Sequence, residues 1–289
     1  MRVIYHKLRK DLPFSERVSR INLLHKILRE ENENMIPKVI HYCWFGGKPL
    51  PELAQKCLAS WKKYCPDYEL MRWDESNFDV NCCDYVREAY EAKKWAFVSD
   101  YARLKVLIDN GGVYMDTDVE VLKPLDTFIK NNKAFSGFEN STQIPTGIMA
   151  SEKEHPFFKE LLNYYNNRHF FKSDGSFDLK TNVTTITEIA KQNGFIPNDR
   201  KQTICGMTFY PHDFFCPKSY ATGQINATEN TVCIHHFNGS WLAEEQEKNR
   251  DLLRWLIKHY GKFGTVLYKI YLYSHNPALF MEELKEKFR

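Results

Sequence analysis

The chain has 289 residues, with 40 Lys and Arg against 37 Asp and Glu, giving a formal net charge of +3. A charge that small gives no reason to expect a nucleic-acid partner, and 43% hydrophobic with 27% charged residues excludes a wholly disordered chain, a coiled coil and a collagen-like fibre. The eight cysteines show neither C-x-x-C nor zinc-finger spacing, and no apolar run follows the basic start, so the expectation is a cytoplasmic protein with free thiols.

Residues 1–34 read as an N-terminal helical segment, because Ile21, Leu24, Ile27 and Leu28 recur at helical spacing among charges. The texture changes at Ile36. Residues 39–45 form a β-type run closed by Gly46 and Gly47. A helix is expected over 51–64, a strand over 68–73 and a helix over 83–94. Ser99 is a plausible N-cap for a helix over 100–110 that Gly111 and Gly112 terminate. Short strands follow at 113–115 and 119–122, then at 134–138, 147–150, 208–210 and 231–235. Helices are expected over 156–167 and 183–192, and beyond Glu244. Strands alternating with helices in the first half predict an α/β fold with a largely parallel sheet. The predicted organisation is a helical segment over 1–34, a catalytic domain over 35–243 and a C-terminal helical extension over 244–289.

The most informative stretch runs from Gly111 to Glu120. A short apolar strand leads straight into Asp116 and Asp118, and residues two apart on a strand share a side. Two converging carboxylates at a strand end repel unless a cation sits between them, and a divalent ion would keep positions open for phosphate oxygens. A calcium EF-hand does not fit, since the sixth loop position is Val121. Upstream, Asp100 and Arg103 stand i and i+3 on one helix face. Read alone, they are a surface ion pair, Trp44 is a core residue, and His235-His236 is a strand end.

Together, Ser99-Asp100-x-x-Arg103, a helix, Gly111-Gly112, a strand and Asp116-Thr117-Asp118 resemble the sugar-binding region of the DXD-motif glycosyltransferases. More narrowly they resemble the family-32 group of capsular polysaccharide enzymes and fungal initiating mannosyltransferases. The catalytic domains of clostridial glucosylating toxins share the pattern. The run from Ile36 to Gly47 and the stretch from Val232 to Trp241 match the opening and closing motifs of that group. The resemblance implies a GT-A fold, a UDP-sugar donor, retention of the anomeric configuration, and Mn²⁺ or Mg²⁺. It implies that Trp44 stacks on uracil, that Asp100 and Arg103 hold the sugar and diphosphate, and that Asp116, Asp118 and His236 hold the metal. His236 is selected because it precedes Gly239 by three. Thr117, Ser240 and Trp241 would line the nucleotide sugar. Glu139 and Asn182 are candidates on the acceptor side, although Thr181-Asn182-Val183 departs from the Thr-Gly-Pro of many members. The catalytic residues so implied are Asp100, Arg103 and Asp118.

The implied reaction moves a hexose or N-acetylhexosamine to a glycan acceptor in capsule, O-antigen or exopolysaccharide synthesis. With no second carboxylate placed under the ring, front-face attack is favoured over double displacement. The basic-aromatic C-terminal helices admit contact with the inner membrane leaflet and an acceptor on a polyprenyl diphosphate. The alternatives are an effector that glycosylates a protein, a sugar-nucleotide-binding protein without turnover, and a nucleotidyltransferase.

Overall fold

In the computed structural model, residues 35–239 and 244–275 are described. The helical segment expected over 1–34 lies outside them. The strands are β1 (Val39–Cys43), β2 (Glu69–Trp73), β3 (Gly112–Met115), β4 (Val119–Val121), β5 (Ala134–Gly137), β6 (Ile148–Ser151), β7 (Gln202–Ile204), β8 (Met207–Tyr210) and β9 (Cys233–His235). The helices are α1 (Glu52–Tyr64), α2 (Asp84–Glu91), α3 (Trp95–Asn110), α4 (Asp126–Asn131), α5 (Pro156–Asn163), α6 (Asn182–Gln192), α7 (His212–Phe215), α8 (Glu244–Tyr260) and α9 (Lys262–His275).

Seven strands form one sheet in the order β2-β1-β3-β6-β5-β8-β7. β1 pairs parallel with β2 and β3, and β5 pairs parallel with β8. β6 runs against β3 and β5, and β7 runs against β8. Five of the seven strands therefore point the same way, which is the mixed, mostly parallel sheet expected of a GT-A domain. β3 is central and every residue in it is buried, so its apolar run is what a strand covered on both faces requires. One apolar layer packs Val98, Leu104, Leu107 and Phe158 on one face of the sheet, and a second packs Trp61, Val119, Leu125 and Phe215 on the other.

The crossover from α3 to β3 aims the chain at the site. Gly111 closes α3, its N–H donating to Leu107 O at 2.8 Å. Gly111 and Gly112 have φ of 67° and 106°, left-handed values that cost other residues strain. A Cβ on Gly112 would meet Val39 O at 2.8 Å and the His41 ring at 2.9 Å. That ring is fixed in turn: its Nε2 lies 2.8 Å from Gly111 O, and Trp73 Nε1 donates to its Nδ1 at 3.1 Å.

Two expectations need correcting. α3 begins at Trp95, five residues before the expected start, because Phe97 and Val98 continue its buried face. Ser99 thus lies inside the helix, its Oγ donating to Trp95 O at 3.0 Å, the back-bonding that hydroxyl side chains adopt within helices. The sequence reading also missed α4, β7 and α7, elements of only 6, 3 and 4 residues, too short to set up a period.

Gly112→Ala is expected to lower stability by about 1–3 kcal/mol in urea denaturation, from left-handed strain and close contact. Gly47→Ala is the control. Gly47 also has positive φ (66°) but has no atom near its missing Cβ, so it should cost about 1 kcal/mol or less.

Candidate active site

The candidate side chains collect near the carboxyl ends of the parallel strands, where open α/β sheets bind ligands. Trp44 follows β1, Asp116 follows β3 and Glu139 lies just beyond β5. β3 ends at Met115, so Asp116 and Asp118 converge through a tight turn, not through strand alternation. Val119 N–H donates to Asp116 O at 3.0 Å, and Asp116 N–H donates to Gly147 O at 2.8 Å.

A two-stranded sheet brings in the distant end of the chain. β4 and β9 pair antiparallel, with Val119 opposite His235. His235 Nε2 lies 3.3 Å from Asp118 Oδ1. One ligand atom each from Asp116, Asp118 and His235 falls within 4.8 Å of the others. The His235 Nδ1 is buried without a hydrogen-bond partner. Gly147 makes room for this ring, since a Cβ there would sit 2.8 Å from it.

The imidazole assigned from sequence was His236, and the structure puts His235 in that place instead. His236 Nε2 bonds Glu120 Oε2 at 2.8 Å, and Glu120 also pairs with Lys56 at 3.1 Å. Alternation explains the exchange. His236 shares the face of Glu120, whereas His235 shares the inner face of Val119, Val121 and Cys233, all buried. Counting back from Gly239 misleads because Phe237 takes a left-handed φ of 52° and breaks the period. Asp118 can reach inward because it lies in the turn, before alternation begins.

Arg103 ties the helix to this cluster. Its Nη2 is 3.0 Å from Asp100 Oδ1 and 3.4 Å from Asp116 Oδ1. Its Nη1 donates to Thr146 O at 2.7 Å and its Nε to Ser99 O at 3.1 Å. The guanidinium stacks 4.8 Å from the Tyr114 ring, and the Tyr114 hydroxyl donates to Asp116 Oδ1 at 2.8 Å. Asn182, at the start of α6, faces Asp100. Its N–H donates to Asp100 Oδ2 at 3.3 Å, and its side-chain amide donates to Asp100 O at 2.7 Å. Tyr165 OH donates to Asn182 Oδ1 at 2.5 Å. Trp44 is half-buried, its indole N–H donating to Lys48 O at 2.6 Å, and Thr117 is half-buried in the turn. Ser240 and Trp241 lie outside the described residues.

The charges respond to one another. Burial raises the Asp100 carboxyl to about 6, with Arg103 opposing and Asp116 adding to the shift. Burial would neutralise His235, but Asp118, Asp116 and Glu139 outweigh it and lift the imidazole to about 9. Burial also works against charge on Asp118, yet His235 and the Asn238 N–H hold it down at about 2. Burial raises Glu139, and His235 partly offsets this.

Several cations were not legible in the sequence. Lys218 Nζ donates to His236 O at 2.7 Å, Arg250 to Asn238 O at 3.0 Å and Arg254 to Tyr220 O at 2.8 Å. Asn238 N–H closes the circle onto Asp118 Oδ2 at 2.8 Å. These residues belong to no short motif. Only the pairing of β9 with β4 and the packing of α8 bring them to the edge of the acidic cluster.

Residues 51–135 match the glycosyltransferase sugar-binding region containing the DXD motif. The chain is 25% identical over 177 residues to an uncharacterized glycosyltransferase of Acanthamoeba polyphaga mimivirus, covering 55% of this chain and 68% of that one. It is 29% identical over 157 residues to inositol phosphoceramide mannosyltransferase 1 of Schizosaccharomyces pombe, covering 47% of this chain and 46% of that one. Among solved structures, a glycosyltransferase involved in the glycosylation of the major capsid of PBCV-1 superposes with a TM-score of 0.42 at 15% identity, over 74% of this chain and 100% of that one. The Asp116-Thr117-Asp118 turn and the Asp100–Arg103 helix face both fall within residues 51–135, the stretch over which the chain is similar to the DXD-containing glycosyltransferases.

Proposed function

We propose that the protein transfers a hexose or N-acetylhexosamine from a UDP-sugar to a glycan acceptor, with retention, using a divalent ion held by Asp116, Asp118 and His235. The observation that carries this reading is the meeting of those three side chains, with ligand atoms within 4.8 Å, beside a rim of cations. Two carboxylates and an imidazole suit Mn²⁺ better than Mg²⁺, and the ring nitrogen that faces the carboxylates is His235 Nε2, 3.3 Å from Asp118 Oδ1. When bound, such an ion offsets the negative charge that builds on a leaving diphosphate.

The chain's own residues divide the remaining work. Trp44 offers an indole beside the strand end for a uracil ring. Asp100 accepts hydrogen bonds from donor hydroxyls. Arg103 has its three nitrogens engaged with protein oxygens, so it acts by orienting Asp100 and Asp116. Asn182 orients Asp100 from the other side. Lys218 and Arg250 supply positive charge on the diphosphate side, with backbone N–H groups near Gly239 adding preorganised donors. Thr117 lines the sugar, and Glu139 faces the acceptor side. Front-face attack, with a β-phosphate oxygen taking the acceptor proton, needs no further carboxylate. The acceptor proposed is a growing cell-surface glycan, carried on a polyprenyl diphosphate.

A panel of UDP- and GDP-sugars, read by nucleotide release, tests the reaction. Mn²⁺-dependent UDP release is expected, abolished by chelation. Asp118→Ala and His235→Ala should each lower it on the order of 100-fold, whereas His236→Ala should cost about tenfold or less. Release of GDP alone would overturn the UDP assignment, and loss with His236→Ala but not His235→Ala would overturn the metal set.

Asp100 gives a second test. An acid raised to about 6 contributes stability below its ordinary value near 4, and that contribution is lost as pH rises through about 6. At neutral pH its ionised form therefore burdens the fold. Asp100→Asn should keep or raise the urea midpoint at pH 7.5 while lowering turnover on the order of 100-fold. The acid limb of the wild-type pH profile, with its midpoint near 6, should vanish in this variant.

A further inference from the structure

Helices α8 and α9 form a hairpin turned at Gly261, whose φ is 57° and whose N–H donates to Ile257 O at 2.8 Å. Gly264 lets the helices cross closely, since a Cβ there would run into Leu256 O. The hairpin leaves large apolar side chains exposed on both of its helices. Trp255 is 50% exposed, Tyr260 52%, Phe263 60%, Val266 48% and Ile270 59%. Phe263, Val266 and Ile270 stand at i, i+3 and i+7, one stripe of α9. Lys262 and Lys269 form a second stripe one residue behind Phe263 and Ile270, and Lys258 is exposed near the turn. From Leu252 to His275 the sequence holds Arg254, Lys258, Lys262 and Lys269 and not one carboxylate.

We propose that this hairpin lies on an anionic phospholipid surface, with the aromatic and aliphatic stripe in the headgroup–acyl boundary and the lysines on the lipid phosphates. Exposed aromatics beside lysines, without acids, are the composition of interfacial helices. Among the described residues no helix is long and apolar enough to cross a membrane, so the hairpin lies on the bilayer. The hairpin is tied to the acidic cluster through its first helix: α8 carries Arg250 and Arg254, which bond Asn238 O and Tyr220 O, and Asn238 N–H donates to Asp118.

The test is co-sedimentation of the full chain with vesicles of phosphatidylcholine alone and of phosphatidylcholine with 30% phosphatidylglycerol. Binding is expected on the anionic vesicles and weakened by salt. Lys258→Glu/Lys262→Glu should weaken it by more than tenfold, since each basic residue near such a surface raises partitioning about fivefold. Phe263→Glu/Ile270→Glu replaces two exposed side chains, so folding should persist, and binding should again fall more than tenfold. UDP release from soluble donor should stay within about twofold of wild type, which separates loss of lipid binding from loss of the proposed activity. Equal binding by wild type and both variants overturns the proposal. So does absence of binding to anionic vesicles, or a concentration-dependent dimer that Phe263→Glu/Ile270→Glu dissolves without any lipid effect.

Discussion

The constraint on which the site depends is the crowding of negative charge at the end of β3. Asp100, Asp116, Asp118 and Glu139 gather there, and among the described residues Arg103 and His235 are the charged groups that pair with them. Like charges a few ångströms apart in a partly dry crevice cost several kcal/mol unless compensated. The fold meets part of that cost with fixed groups. Arg103 is the central one, since it touches two of the carboxylates and is itself held by two backbone carbonyls and an aromatic face. Removing it would leave Asp100 and Asp116 facing each other without the guanidinium that joins them.

The architecture makes sense as a device for this convergence. α3 must deliver Asp100 and Arg103 to the same end of the sheet at which β3 finishes, so the reversal between them must be abrupt. Gly111 and Gly112 supply it, in backbone conformations and at contact distances that exclude a side chain. The last ligand candidate arrives from more than a hundred residues away, and that is the task of the small β4-β9 sheet. Trp61 of α1 secures that sheet to the body, its indole N–H donating to Val119 O at 2.7 Å.

What the sequence disclosed follows the range over which each signal acts. Asp116 and Asp118 are two residues apart and preceded by an apolar strand, so their convergence was legible, although the turn that achieves it was not. Asp100 and Arg103 share a helix face, so their pairing was legible even though the helix start was misplaced. His235 and His236 differ by one position, and a one-residue change of strand face is invisible without the partner strand. The left-handed Phe237 removed the only counting rule available. Lys218, Arg250 and Arg254 reach the site through tertiary packing alone, so nothing local could announce them. From the sequence, Asn182 is an acceptor-side candidate through the resemblance alone. The structure sets it against Asp100 and Tyr165, a contact between segments 82 residues apart.

The cationic rim bears on how a charged donor would be held. Lys218 stands between Asp118, which favours its charge, and Arg254 and Arg250, which oppose it, while burial opposes it most, and the balance lowers its proton affinity. A cluster in which cations already repel one another is poised for an incoming polyanion, because each new phosphate oxygen relieves repulsion as well as adding attraction. In the proposed reading, the acidic cluster takes a metal ion and this rim a diphosphate, opposite partners for opposite charges. A nucleotide sugar bound with a divalent ion satisfies both demands at once, whereas either alone would leave one half of the site with its excess charge. That complementarity is a physical reason to expect donor and metal to bind cooperatively.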